Sequence, residues 1–439
     1  MFKTHQQVIK SIFSTKKFLA LFVIMFTSAC SNATPDEGNS YNISSNAAPN
    51  EGDFYKNYSK NGVYRQFQGN GQDTNNDTPA LQSLINDLTQ LPNGGSIFIP
   101  AGTWYIGELR LKSNTHLIFD KNATVRPFIN PTGNPAIFNL GENGSAVENV
   151  SIRGSGGRFK VDLNNQVNKN IIPFKLLNVK NFMLSDIHVK DDFTVHSAAN
   201  FNFSWYQSKI YGPENGLVKN FSNENGHGGY GLIQVRIGKN IFFKNLDSYS
   251  GGATLRIETD PHAVHHVHNQ ASPKLGAFDI VARDITCKNG NSAVMLQPWD
   301  IDNGILDIAN VSANSCKFAV RVDRAYVDPT NDNIDPNQRI GSFDPRTTIS
   351  NITATYGLNS QIKNGSFPFV PQILEDEIST TPFAFNPNWF KGPSLAPVLY
   401  AAKGSSNDPR FYEVNIENIT AHGFLYVPNI VTWDDRFNL

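Results

Sequence analysis

The stretch GGATLRIETD, residues 251–260, places Arg256, Glu258 and Asp260 at alternate positions with Leu255 and Ile257 interleaved. Alternate residues of a strand share one face, so a guanidinium and two carboxyls would project together. Such a pair can keep one carboxyl protonated for a leaving oxygen and the other ionised, which is the equipment of glycoside hydrolysis. Residues i and i+2 lie about 6.6 Å apart at Cα, each rising about 3.3 Å. That separation leaves both an inverting and a retaining pair open. On a single strand, alternating polar residues are also what any solvated face shows.

Neighbouring segments decide between these readings. YGLIQVRIG carries Gln234 and Arg236 between Ile233, Val235 and Ile237, and Gln234 lies about one repeat before Glu258. SAVMLQPWD offers Met295 and Gln297 outward, and FAVRVDRA offers Arg321 and Asp323. If these strands stack, their outer face is a basic, amide-rich stripe holding the two carboxylates.

The stacking is itself readable. One phrase, an Asn or Asp flanked by alternating apolar residues, recurs as VENVSIRGSG, VKNFMLSDIHV, GKNIFFKNLDS, AFDIVARDITC, GILDIANVSANSC, TTISNITATYG and FYEVNIENITAHG. A single coil cannot bury its own apolar face, whereas stacked coils share one continuous core. The pattern predicts an all-β, right-handed parallel β-helix with loops inserted at its corners. Residues 77–91, DTPALQSLINDLTQL, predict a helix that caps the open end, with Thr78 as N-cap, Pro79 at the first helical position, and Leu81, Leu84, Ile85 and Leu88 on one face.

The N-terminus combines Lys10, Lys16 and Lys17, the apolar run FLALFVIMF and the sequence TSAC ending at Cys30. This order predicts a lipoprotein signal peptide over 1–29, lipid modification of Cys30 and a disordered tether over 30–52, so that the protein is exported to an outer membrane or cell surface, or secreted. A catalytic domain is expected over 53–439. Removing residues 1–29 takes away four Lys and no acid, moving the formal charge from −1 to −5. A mildly acidic chain has no bulk attraction for nucleic acid or any polyanion, so an anionic ligand must be met by local arginines. Cys287 and Cys316 can pair in an oxidising compartment or remain buried thiols.

GYGLIQVRIGKNIFFKNLDSYSGGATLRIETD, residues 229–260, with CKNGNSAVMLQP and SANSCKFAVRVD after it, resembles the iota-carrageenase family of glycoside hydrolases. The resemblance runs from about Asp53 to Arg324. It implies a right-handed β-helix that cleaves β-1,4 linkages of a sulfated red-algal galactan, endo-wise and with inversion. It also implies Glu258 as general acid, Asp260 as general base, Gln234 as an amide that helps hold the water, and Arg321 as a sulfate contact. Arg236, Arg256 and Gln297 belong to the same stripe as expected substrate contacts. After AVM the family has a Pro followed by His; here Trp299 follows Pro298, exchanging a titratable imidazole for a stacking surface with one donor.

Three stretches stand outside that assignment. DPHAVHHVHNQ, with His262, His265, His266 and His268, reads as an exposed loop that could also supply an imidazole. VDPTNDNIDPNQ at 327–338 is acidic but lacks the ligand spacing of a calcium loop. The insertion at about 358–408 either walls the site or covers the side of the solenoid. No cofactor is required for hydrolysis, a structural calcium or bound chloride is compatible, and a monomer is expected. Two other functions fit parts of the sequence: a polygalacturonase-like hydrolase, which would need an Asn-Thr-Asp motif that is absent, and a non-catalytic cell-surface glycan-binding lipoprotein.

Overall fold

The asparagines of the repeated phrase turn the corners of a coil. In the computed structural model, which describes residues 49–129, 132–259, 276–326 and 340–437, Asn149, Asn181, Asn215 and Asn240 all have φ between 52° and 59°. That left-handed region is costly for most side chains and tolerable for Asn and Asp. Their amides also stack: Asn149 Nδ2 donates to Asn114 Oδ1, Asn181 Nδ2 to Asn149 Oδ1 and Asn240 Nδ2 to Asn215 Oδ1, each at 2.8 Å. A second ladder repeats the device, with Asn220 donating to Asp186, Asn245 to Asn220, and Asn310 to Asp284 at 2.9–3.0 Å. Each corner residue thus fixes the turn and the register of the next coil.

Between the corners run two long parallel sheets. The first holds Gly95–Ile99, Thr115–Asp120, Val147–Ser155, Val179–Lys190, Glu214–Glu224, Gly238–Tyr249 and their successors up to Asn415–His422. The second, ten-stranded, runs in space from Leu109–Arg110 through Ala136–Leu140, Ile172–Leu176, Ala199–Phe201, Ile233–Val235, Ala253–Glu258, Ser292–Gln297, Phe318–Val322 and Val398–Tyr400 to Ile430–Thr432. This is the right-handed parallel β-helix that the repeats predict. Inward residues stack coil on coil, as in Phe119 against Phe159 at 4.4 Å and Phe138 against Phe174 at 5.1 Å.

The capping helix spans Thr78–Thr89 and buries Leu81, Ile85 and Leu88. Its N-cap position is Asp77, one residue before the expected Thr78, and no side-chain capping bond forms there, because both side chains are committed elsewhere. Asp77 Oδ2 accepts from Tyr105 N and Thr78 Oγ1 from Gly107 N, tying the helix to the strand below.

Residues from Glu51 onward are docked on the coils. Glu51 pairs with Lys219 and Lys244, Phe54 packs on Phe242 at 5.3 Å, and Lys56 N donates to Asn181 Oδ1 at 2.7 Å. This strap runs back along the outer face of the first sheet toward Val63–Gln66, which pairs with Gly95–Ile99. Cys287 and Cys316 form a disulfide that joins successive coils.

The stretch expected as one insertion has two parts. Ser360–Lys363 pairs antiparallel with Trp389–Gly392, and two 3-10 segments, Asn364–Phe369 and Gln372–Glu377, lie between them. Val398–Tyr400 then returns to the second sheet. Phe369, Val370 and Leu374 cover Leu399, Ala401 and Val431, so the insertion seals the outer face of the last coils. Phe385 reaches farther, stacking on Phe193 at 5.0 Å and meeting His227 at 4.4 Å.

Candidate active site

Glu258 closes the strand Ala253–Glu258 of the second sheet, with Leu255 and Ile257 turned into the core and Arg256 turned out beside it. The register sets Gln234 opposite Arg256, and Arg256 opposite Met295. Gln234 is therefore a diagonal neighbour of Glu258, a two-residue offset from simple repeat counting, and still within reach. Its Nε2 donates to Glu258 Oε2 at 3.0 Å. The Arg256 guanidinium pairs with the same oxygen, and Trp299 Nε1 donates to Oε1 at 3.3 Å. Three donors thus converge on a carboxylate that is only 9% exposed.

Burial alone would push the Glu258 carboxyl up. The charge and hydrogen bond of Arg256, the Trp299 indole and the charge of Arg236 outweigh it, so its pKa lies below the usual value. In the free protein Glu258 is an ionised acceptor. A substrate anion that drew Arg256 away would remove the strongest influence opposing burial and bring the carboxyl toward the protonated form that an acid needs.

Arg256 is itself held from behind, donating to the Gly229 carbonyl, with the Tyr230 ring 6.0 Å from its guanidinium. Neither backbone contact nor ring was legible as a site residue; Gly229 and Tyr230 carry no signal beyond lying in the same phrase. Trp299 has φ 49°, an uncommon conformation for a bulky residue. Its ring meets Tyr326 edge-on at 5.1 Å. The residue that departs from the family pattern therefore binds the candidate acid directly through its only donor.

Two strands further on, Arg321 stands in the same outward row as Arg256. Asp323 takes its Nε at 2.7 Å. Arg321, Gln297, Arg324, Arg410 and Trp433 line a hollow of about 220 Å³ against the insertion. Arg324 lies 3.3 Å from the Trp433 ring centroid and shares Asp408 with Arg410. Behind it, buried Lys317 donates to Ser366 Oγ at 3.0 Å, and burial holds its ammonium pKa well below normal. Lys317, Arg324 and Arg410 escaped sequence reasoning because the loops that surround them are not periodic.

Asp260, the His262–His268 cluster, the 327–338 loop and Cys30 lie outside the described residues. Among the described residues no group of three His, Cys, Asp or Glu side chains is placed to hold a metal, and no helix is long and apolar enough to cross a membrane.

Fold and face together define a right-handed parallel β-helix protein whose second sheet presents a carboxylate among arginines and amides. In sequence and fold the chain is iota-carrageenase-like. It is 35% identical over 263 residues to an iota-carrageenase of Alteromonas macleodii, and 35% over 273 residues to one of Zobellia galactanivorans, alignments covering 60% and 62% of this chain. The chain spans about half the length of these curated relatives, 52% and 54%. An iota-carrageenase structure complexed to iota-carrageenan fragments superposes with a TM-score of 0.80 at 26% identity, covering 88% of this chain and 94% of that one. A 1,3-α-1,4-β-D-galactose-4-sulfate-3,6-anhydro-D-galactose-2-sulfate 4-galactohydrolase superposes at 0.82 with 27% identity, over 90% and 96%. No protein-family model matches the chain.

Proposed function

We propose that the chain is an endo-acting hydrolase of sulfated red-algal galactan that cleaves β-1,4 linkages of iota-carrageenan with inversion. The observation that carries this reading is the buried Glu258 carboxylate, gathered by Gln234, Arg256 and Trp299 on the open face of an iota-carrageenase-like β-helix. Arg256 and Arg321 meet substrate sulfates. As a sulfate recruits Arg256, Glu258 takes up a proton and passes it to the glycosidic oxygen as the bond to the anomeric carbon breaks. Asp260, two residues along the chain, takes a proton from the water that attacks the opposite face of that carbon. Gln234 orients water or substrate hydroxyl from the neighbouring strand. The reaction needs no cofactor.

The site of action is outside the cytoplasm, on a monomer anchored through lipid at Cys30. The Cys287–Cys316 bridge supports an oxidising compartment.

Glu258→Gln and Asp260→Asn are each expected to lower turnover on iota-carrageenan by at least about 100-fold with the fold intact, since general acid and base catalysis each contribute roughly 10²–10⁴. Proton NMR of the first product reports the anomer. An initial α-anomer supports inversion of the β-linkage, and an initial β-anomer refutes it.

A further inference from the structure

The geometry points to a second anionic-polysaccharide site at the N-terminal end of the second sheet, filled together with the Glu258 site by one long sulfated chain lying along the sheet. This deepens the proposed function and rests on it. The hydrogen-bonded register aligns Arg110, Asn139, Lys175, Asn200, Gln234 and Arg256 in one outward row. Every member is a cation or an amide. Arg110 lies five strands from Arg256, about 24 Å at about 4.8 Å per strand, and Lys175 about 14 Å away.

Asn200 and Gln234 are buried and donate to the Ser197 carbonyl and to Glu258, so the charge of the row toward its N-terminal end rests on Lys175 and Arg110. Among the described residues neither Arg110 nor Lys175 has an ion pair, and Lys175 stands close enough to His196 to help burial and Arg236 push its pKa down to about 4. Like charges along one row repel, and a polyanion laid over them removes the repulsion.

The row ends in a receptive place. Arg110 lines a hollow of about 750 Å³ between the capping helix and the segment 107–112, with Gln82 and Asn86 on one wall and Phe128 on another. Phe128 is 48% exposed, an apolar ring of the kind that packs on a sugar face. Lys112 is bridged to Glu142, and among the described residues Arg110 and Glu108 line the hollow without an ion pair, so the cation offered to an anion there is Arg110, with the Glu108 carboxylate opposing it. In the other direction the row is closed. Beyond Arg321 it continues as Leu399 and Val431, both buried under the insertion. A chain that follows the row reaches Arg321 two strands beyond Arg256, where the row becomes covered, and has its longer path toward Arg110.

The test is the double variant Lys175→Gln/Arg110→Gln, with thermal melting as the fold control and assays at low salt, where such contacts are least screened. On polymeric iota-carrageenan the Michaelis constant should rise roughly 3- to 30-fold, as two exposed charge contacts dictate, with turnover number unchanged. On the shortest oligosaccharide that the native protein cuts, both constants should stay the same. A polymer Michaelis constant within twofold of native, or equal changes on long and short substrates, overturns the site. If the native protein cuts no carrageenan, the activity reading fails by itself. The comparison is then made as equilibrium binding of long-chain iota-carrageenan, where weaker binding by the variant supports the site and equal affinity overturns it.

Discussion

Replacing Arg256 by Met keeps much of the side chain's bulk and removes the cation that holds Glu258 ionised. The pair is nearly dry, with side-chain exposures of 17% and 11%. Removing one partner of such a buried pair costs roughly 3–5 kcal/mol when the other stays charged. Gln234 and Trp299 still donate to Glu258, which places the expected loss near the lower end, at about 3 kcal/mol. The loss should depend on pH in a definite direction. In the native protein the folded pKa of Glu258 lies below normal, so its stabilisation is fully present above the ordinary carboxylate range and disappears as pH falls through the folded value. In the variant, burial is no longer outweighed and the folded pKa rises above the ordinary value, so stability drains away as pH rises between the two. Denaturant melts of both proteins from about pH 4 to about pH 7.5 should therefore show a gap that is wide near neutrality and narrows in acid. A gap of constant size would show that Arg256 contributes packing and its Gly229 bond alone, and would remove the electrostatic account of Glu258.

Trp299→Phe keeps a ring but deletes the donor to Glu258, so the Glu258 pKa should rise and the alkaline limb of the kcat/KM profile should move to higher pH; an unmoved limb with a larger Michaelis constant would make Trp299 a sugar platform only. Asp191, whose carboxyl burial pushes up to about 7, costs stability as pH rises from the ordinary carboxylate value toward 7, so Asp191→Asn should melt relatively higher at pH 8 than at pH 5, and a parallel shift at both would contradict the assignment. Cys287→Ser opens a loop with a sequence separation of 29, and loop-closure entropy gives a loss of about 3–4 kcal/mol in denaturant midpoint analysis; a loss under about 1 kcal/mol would mean that stacking alone fixes those coils.

The coil was legible because its corners are chemically marked. Asn181, Asn240 and Asp279 stand at the same place in their phrases and share the same left-handed backbone, and the outward stripe from Gln234 to Arg321 followed from strand alternation. Repeat counting failed only in fine register, opposing Gln234 to Glu258 where hydrogen bonding opposes it to Arg256, since irregular turns between strands change coil length without changing the pattern inside a strand. The Trp299 bond to Glu258 was hidden by the unusual backbone at Trp299, which no periodic rule anticipates. Asp77 as N-cap was missed because its carboxylate serves Tyr105, 28 residues away.

The strap at Glu51–Lys56 fixes an order of events for the growing chain. Asn181, Lys219 and Asn240, which receive it, lie 125, 168 and 187 residues further along. At about 5–20 residues per second, the strap's partners are synthesised roughly 6 to 37 seconds after it. Coils stack on neighbours that have just been made, but the strap must wait for the surface it covers, and its long-range contacts carry a loop-closure cost that the local stacking does not. The first described segment of the polypeptide to be made is thus placed only after the coils it covers, and its docking reports that those coils have already formed.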